Sequence, residues 1–113
     1  MHELDITQGI VNTALQAGEN AGARKIRSVR VKIGAFTGVE PHCLEFYFNV
    51  LTKDTIAAGA ELVVEITPLA ATCSACREPF APQELCFKCP SCGSPEVEIT
   101  SGRELCVESV DVW

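Results

Sequence analysis

Four cysteines, Cys73, Cys76, Cys89 and Cys92, stand as two C-x-x-C pairs with twelve residues between them. Two residues between cysteines let a tight turn aim both sulfurs at one point. Two such knuckles facing each other give tetrahedral S4 coordination, which suits zinc at about 2.3 Å per bond. Four thiolates leave no open position, so the site is expected to be structural, not catalytic. A single pair would also suit a thioredoxin-like redox centre, and the S4 set also suits iron–sulfur chemistry. Two pairs at ribbon spacing favour zinc over both. A third C-x-x-C overlaps the second, at Cys86 and Cys89. Pro90 and Gly93 supply turn chemistry around the 89/92 pair, which is therefore preferred. Cys43 and Cys106 lie in apolar segments and are expected to be small buried hydrophobes.

A second metal-binding possibility lies at Met1-His2-Glu3. The Met1 amine, the residue 2 amide and the His2 imidazole can close a five- and a six-membered chelate ring on one ion. The Glu3 amide or a carboxylate completes four positions. Square-planar nitrogen and oxygen donors suit Ni(II) or Cu(II). A helix start leaves its first N–H groups free for such a role. The plainer reading is a polar N-terminus whose Glu3 and Asp5 complement a helix dipole, and composition alone favours it. Glu40 stands between that carboxylate role and an ordinary exposed acid at a helix start. His42 is expected on a helix surface, away from any metal.

These residues need elements to place them. Residues 3–21 read as a helix, with Leu4, Val11, Leu15 and Gly18 near one face and Ile10, Ala14, Ala17 and Ala21 beside it. Gly22 is placed to stop it. Residues 26–33 alternate as a half-buried strand, Val29, Val31 and Ile33 facing inward. A glycine-punctuated loop spans 34–38. Pro41 suits the first turn of a second helix, and Leu44, Tyr47, Phe48 and Leu51 keep helical spacing. Residues 61–67 form a second strand with Leu62, Val64 and Ile66 on one face. Residues 69–102 hold five of the seven cysteines and four of the six prolines. With few large aliphatics, that lobe has no hydrophobic core of its own and needs a staple. Zinc supplies on the order of 10 kcal/mol in comparable small sites. Residues 103–112 return to strand composition, with a slip in alternation at Ser109 that marks a bulge. The expected architecture is α/β: a small domain of two helices and a three-stranded sheet, residues 1–68 plus 103–113, with a zinc-ribbon lobe, 69–102, inserted before its last strand.

Net charge is −6 over 113 residues. Residues 69–113 carry three basic against seven acidic side chains. Phosphate contacts come from Lys and Arg, so nucleic acid is a poor default partner. No apolar run approaches the roughly 20 residues of a membrane span. His2, Glu3 and Asp5 replace the basic n-region of a secretory signal. A cytoplasmic protein, monomer or homodimer, is expected, with paired cysteines on a metal instead of in disulfides.

Met1-His2-Glu3, Lys32-Ile33-Gly34, Val39-Glu40, the two knuckles and Gly102-Arg103-Glu104-Leu105 occur in that order. Together they resemble the HypA/HybF hydrogenase nickel-incorporation proteins, over essentially the whole chain. The resemblance implies a non-enzymatic nickel metallochaperone. It implies Ni(II) as cargo, delivered to the [NiFe]-hydrogenase large subunit together with the GTPase HypB; some members also serve urease. It implies His2 as the essential nickel ligand, helped by the Met1 amine and the Glu3 backbone, with Glu40 as the nearby acid. The zinc ligands it implies are Cys73, Cys76, Cys89 and Cys92. The competing readings are a zinc-ribbon module binding nucleic acid or protein, and a redox enzyme using a C-x-x-C pair.

Overall fold

The computed structural model describes residues 3–82 and 87–113. Helix α1 spans Glu3–Asn20. Its buried stripe is Ile6, Thr7, Ile10, Val11, Ala14 and Gly18. The stripe sits about one residue round from the expected face, so Leu4 falls at its margin and is 45% exposed. Thr7 tolerates burial because its hydroxyl donates to the Glu3 carbonyl, 2.6 Å away. Gly18 is needed for contact: a Cβ there would stand 3.0 Å from Ile56 Cδ1 and 3.1 Å from Ile26 Cδ1. The helix ends in a Schellman motif. The Ala23 amide donates to Gly18 O and the Gly22 amide to Glu19 O, with Gly22 at φ +67°.

Strand β1 is Ile26–Gly34, with Ile26, Val29, Val31 and Ile33 buried. A 3-10 turn, Ala35–Thr37, follows. Helix α2 is Pro41–Leu51. Pro41 occupies its first turn as expected, and the side chain of Glu40 caps it by accepting the His42 amide at 3.1 Å. Strand β2 is Glu61–Thr67. Its Leu62 and Val64 are half-buried, whereas Ile66 is exposed. Three short strands then follow, β3 Ala70–Cys73, β4 Pro79–Phe80 and β5 Val97–Ser101, and β6 closes the chain at Leu105–Val112.

The strands form two three-stranded sheets, ordered β2-β1-β6 and β4-β3-β5. In the second, β3 pairs antiparallel with both neighbours, Ala71 facing Phe80 on one side and Ile99 on the other. Sequence periodicity gives no warning of this sheet, because strands of two to five residues are too short to show it. In β6, Val107 and Val110 are both half-buried, while Glu108 pairs with Lys32 and Asp111 accepts from Ser28. Same-side residues three apart depart from strict alternation in the stretch of β6 that contains Ser109.

The chain divides into two compact units. One comprises Met1–Lys32, Val39–Glu65 and Leu105–Trp113; the other comprises Ile33–Gly38 and Ile66–Glu104. Within the first, α1 packs on α2 and on β6. Its core is made of Ile6, Ile10, Val11, Ala14, Ile26, Val29, Val31, Leu44, Phe48, Ala57 and Ala60. Within 69–102, the buried side chains among the described residues are Ala71, Cys73 and Cys89. That segment has two ligand-type sulfurs where a domain would have aliphatics.

Candidate metal centre

β3 delivers Cys73 at its last residue. The chain then folds back: the Arg77 amide donates to Cys73 O at 2.8 Å and the Cys73 amide to Glu78 O at 3.0 Å. The second knuckle repeats this pattern residue for residue. The Gly93 amide donates to Cys89 O at 2.8 Å and the Cys89 amide to Ser94 O at 3.0 Å. Both turns need a positive φ at the same place, and both have it, Arg77 at 63° and Gly93 at 76°. Gly93 announces itself in the sequence. Arg77 does not, because an L side chain seldom takes that region and nothing in the pattern flags it.

The two knuckles bring together Cys73, Cys76, Cys89 and Cys92, with all four sulfurs within 4.8 Å of one another. Cys73 Sγ lies 3.6 Å from Cys92 Sγ, and Cys76 Sγ lies 3.5 Å from Cys89 Sγ. A tetrahedron with 2.3 Å metal–sulfur bonds has edges of about 3.8 Å, so the donor set fits zinc. Each first cysteine receives an amide from its own knuckle, Cys76 N at 3.4 Å from Cys73 Sγ and Cys92 N at 3.5 Å from Cys89 Sγ. Those amides favour thiolate. The Cys92 amide, against burial and with help from Ser91, holds the Cys89 thiol down to about 6. The Cys76 amide likewise lowers Cys73. The second cysteine of each knuckle goes the other way. Glu78 N–H pulls Cys76 down, but hydrogen bonding from Cys89, burial and the other two sulfurs push it up to about 12. Cys92 is raised for parallel reasons: the Ser94 amide pulls it down, but hydrogen bonding from Cys73, burial and Cys89 together push it up. Four negative sulfurs cannot sit this close without a cation between them. With four thiolate donors the centre is closed, the form of a structural zinc site.

Among the described residues this is the one group of three or more His, Cys, Asp or Glu side chains placed to hold a metal. The N-terminal candidates Met1 and His2 lie outside the described residues, as does Cys86. Glu3 opens α1. Glu40 is exposed and serves as the α2 cap. His42 is a surface residue, as expected, 3.9 Å from Glu45. The expected burial of Cys43 and Cys106 is wrong: both are exposed. Cys43 sits one step, about 100°, off the Leu44–Phe48 stripe of α2. Cys106 lies on β6, an edge strand, near Lys32 on the polar side of the sheet.

Two of the sequence motifs meet in the second unit. The Gly34 amide donates to Glu104 O and the Phe36 amide to Gly102 O, each at 2.7 Å. The Gly102 amide donates to Glu104 Oε1, also at 2.7 Å. Arg103 stacks its guanidinium over Phe36, 5.5 Å from the ring centroid. Gly102 takes φ +107°, and neither it nor Gly34 has room for a Cβ. These glycines serve a backbone crossing.

A two-helix α/β unit, a second small sheet and a closed four-cysteine centre define a small zinc-stapled protein, with no site for catalysis in the zinc centre itself. A family model described as hydrogenase/urease nickel incorporation, metallochaperone, HypA matches residues 1–112. The chain is 41% identical over 113 residues to the hydrogenase maturation factor HypA of Caldanaerobacter subterraneus, covering 99% of both chains. It is 38% identical over 113 residues to a guanidine hydrolase-activating protein A of Synechocystis, covering 98% of this chain and 94% of that one. The solution structure of the Ni metallochaperone HypA from Helicobacter pylori shares the fold, with TM-score 0.69, 23% identity and coverage of 99% and 97%. The chain belongs to the HypA family of nickel metallochaperones, which are carriers and maturation factors, not catalysts.

Proposed function

We propose that this protein carries Ni(II) at its N-terminus and hands it over during maturation of the [NiFe]-hydrogenase large subunit, in company with a HypB-type GTPase. The observation that carries the reading is a family match that starts at residue 1 and runs through residue 112. It therefore includes Met1-His2-Glu3. In this reading His2 is the principal ligand, the Met1 amine and Glu3 backbone assist, and Glu40 is the supporting acid. Zinc at Cys73, Cys76, Cys89 and Cys92 holds the ribbon lobe, 69–102, and stays there.

The division of labour follows from coordination chemistry. A cargo site must release its metal. Exposed nitrogen donors that can regain protons give an affinity that falls with pH. Four thiolates enclose their ion and suit retention. A cytoplasmic location fits a protein with no described helix long and apolar enough to cross a membrane. The similarity to a guanidine hydrolase-activating protein makes the client enzyme a separate question from the cargo.

The test is a metal titration of zinc-loaded protein against its His2→Ala variant. Wild type should bind about one Ni(II) per chain in a nitrogen- and oxygen-rich site. The variant should lose nickel and keep zinc. A residue added ahead of Met1 should also weaken nickel, since it removes the free amine. Undiminished nickel binding by His2→Ala would overturn the assignment.

A further inference from the structure

The first unit carries a groove of about 440 Å³ whose lining includes none of the four cysteines. It is lined by Asp5, Ile6, Gly9, Ile10 and Thr13 of α1 and by Leu105, Cys106 and Val107 of β6. Three consecutive residues of a strand point alternately to opposite faces. A groove that touches all three therefore runs along the strand's edge, not over one face. That edge is unpaired among the described residues, because β6 is the last strand in the order β2-β1-β6. Its backbone N–H and C=O groups are a template for another strand.

Lysine and proline, two of the usual protections of such an edge, are missing. β6 reads Leu-Cys-Val-Glu-Ser-Val-Asp-Val, with no lysine and no proline. Leu105 is an exposed large hydrophobic at the groove. On the helix side, Gly9 leaves an open floor: a Cβ built there meets nothing within 4 Å. Gly9 lies inside α1, where glycine costs about 1 kcal/mol relative to alanine. An incoming side chain could rest on the helix backbone there, between Ile6 and Ile10.

We infer that β6 and the Gly9 groove dock an extended, basic and apolar segment of a partner protein, added as a fourth strand. Backbone pairing would give affinity, and alternate side chains would enter the groove. The basic character follows from charge. Asp5 lines the rim and the chain carries −6 overall, while the acids of β6, Glu108 and Asp111, already pair with Lys32 and Arg27 of β1. Such a field steers cationic partners. A second copy of this chain is the wrong occupant, because pairing β6 with β6 sets acids against acids with no base in either strand.

The probes are a short synthetic peptide alternating valine with lysine and its valine–glutamate counterpart. They are titrated into zinc-loaded protein and followed by backbone amide NMR. The lysine peptide should shift the amides of residues 105–112 and of α1 around Gly9; the glutamate peptide should not. Gly9→Leu fills the groove while improving helix propensity, and it should weaken the lysine peptide by at least about tenfold. Asp5→Lys, a surface change, should abolish the preference for lysine over glutamate and serves if Gly9→Leu misfolds. Both variants should still bind nickel, which keeps this inference separable from the carrier reading. Equal binding of the two peptides, shifts confined to other surfaces, or Gly9→Leu binding like wild type would each overturn it. So would a wild-type dimer in sedimentation that Gly9→Leu splits, because the occupant would then be a second copy.

Discussion

Gly34→Ala is the sharpest test of how the second unit is held. An ideal Cβ on Gly34 would stand 2.0 Å from both the carbonyl carbon and oxygen of Gly102, and 2.4 Å from Arg103 N. All three atoms are backbone, so no rotamer change relieves the clash. Gly34 itself sits at φ −76°, ψ 142°, so the penalty is steric and not torsional. Ordinary contact begins at 3.4 Å, so the two segments must part by about 1.4 Å. The bonds from Gly34 N to Glu104 O and from Phe36 N to Gly102 O, each 2.7 Å, would then stretch to about 4 Å, beyond hydrogen-bonding range. Losing both costs about 2 kcal/mol net. Residual overpacking adds about 1–3 kcal/mol, for a total of about 3–5 kcal/mol. Urea unfolding of zinc-loaded protein should show the midpoint fall by about 2 M, given slopes of about 1–3 kcal/mol/M for small proteins. Amide exchange should show Gly34 and Phe36 losing protection first. Gly9→Ala is the control, because its Cβ enters open space, and it should stabilise by about 1 kcal/mol. A Gly34→Ala midpoint indistinguishable from wild type would show that the crossing is not the constraint described.

A further prediction concerns a proton. The Lys32 ammonium is raised above 10.5, first by its hydrogen bond to Glu108 and then by the charges of Glu108 and Glu65. A raised pKa means that the folded state holds the proton more tightly. Its contribution is full below 10.5 and disappears as pH climbs through the folded value. Glu108→Gln should bring the Lys32 side-chain NMR titration back toward 10.5, and an unmoved titration would assign the shift elsewhere.

The first unit was legible in the sequence because burial imposes a period. The 26–33 alternation yields β1, and Pro41 with Leu44 and Phe48 yields α2. The α1 face is rotated from expectation because Ile6 and Thr7 are buried while Leu4 is exposed. Thr7 is polar and satisfied within the helix, so it does not read as core. Exposed Cys43 and Cys106 show the opposite error, that an apolar neighbourhood in sequence does not say which way a residue points. The four-cysteine cluster was readable because C-x-x-C spacing directly encodes turn geometry. The β4-β3-β5 sheet was not, because its strands are short and its order depends on the knuckles. The Gly34–Gly102 crossing was also hidden, since the contact joins residues far apart in the chain and glycine in a loop has many ordinary explanations.

The scarcity of buried aliphatics in the cysteine-rich segment leads to an asymmetric response to metal removal. In the first unit, α1, β1 and α2 close on a core that includes Ile10, Ile26, Leu44 and Phe48, and that core owes nothing to the sulfurs. Among the described residues of 69–102, Ala71, Cys73 and Cys89 are the buried side chains. Burial there cannot offset chain entropy of about 1–2 kcal/mol per ordered residue. What remains is the metal, worth about 10–16 kcal/mol in small structural sites. Stripping zinc with a chelator, or introducing Cys73→Ser, should therefore erase amide protection in β3, β4 and β5. Protection in α1, α2 and β1 up to Lys32 should persist. Nickel titration of the stripped protein should still find the N-terminal site, because its proposed donors lie in the first unit. Cooperative loss of both units on zinc removal would mean that the first core depends on the ribbon after all. A ribbon that stayed protected without metal would mean that its few apolar contacts and turns are enough, and the structural role of the four sulfurs would fall with that result.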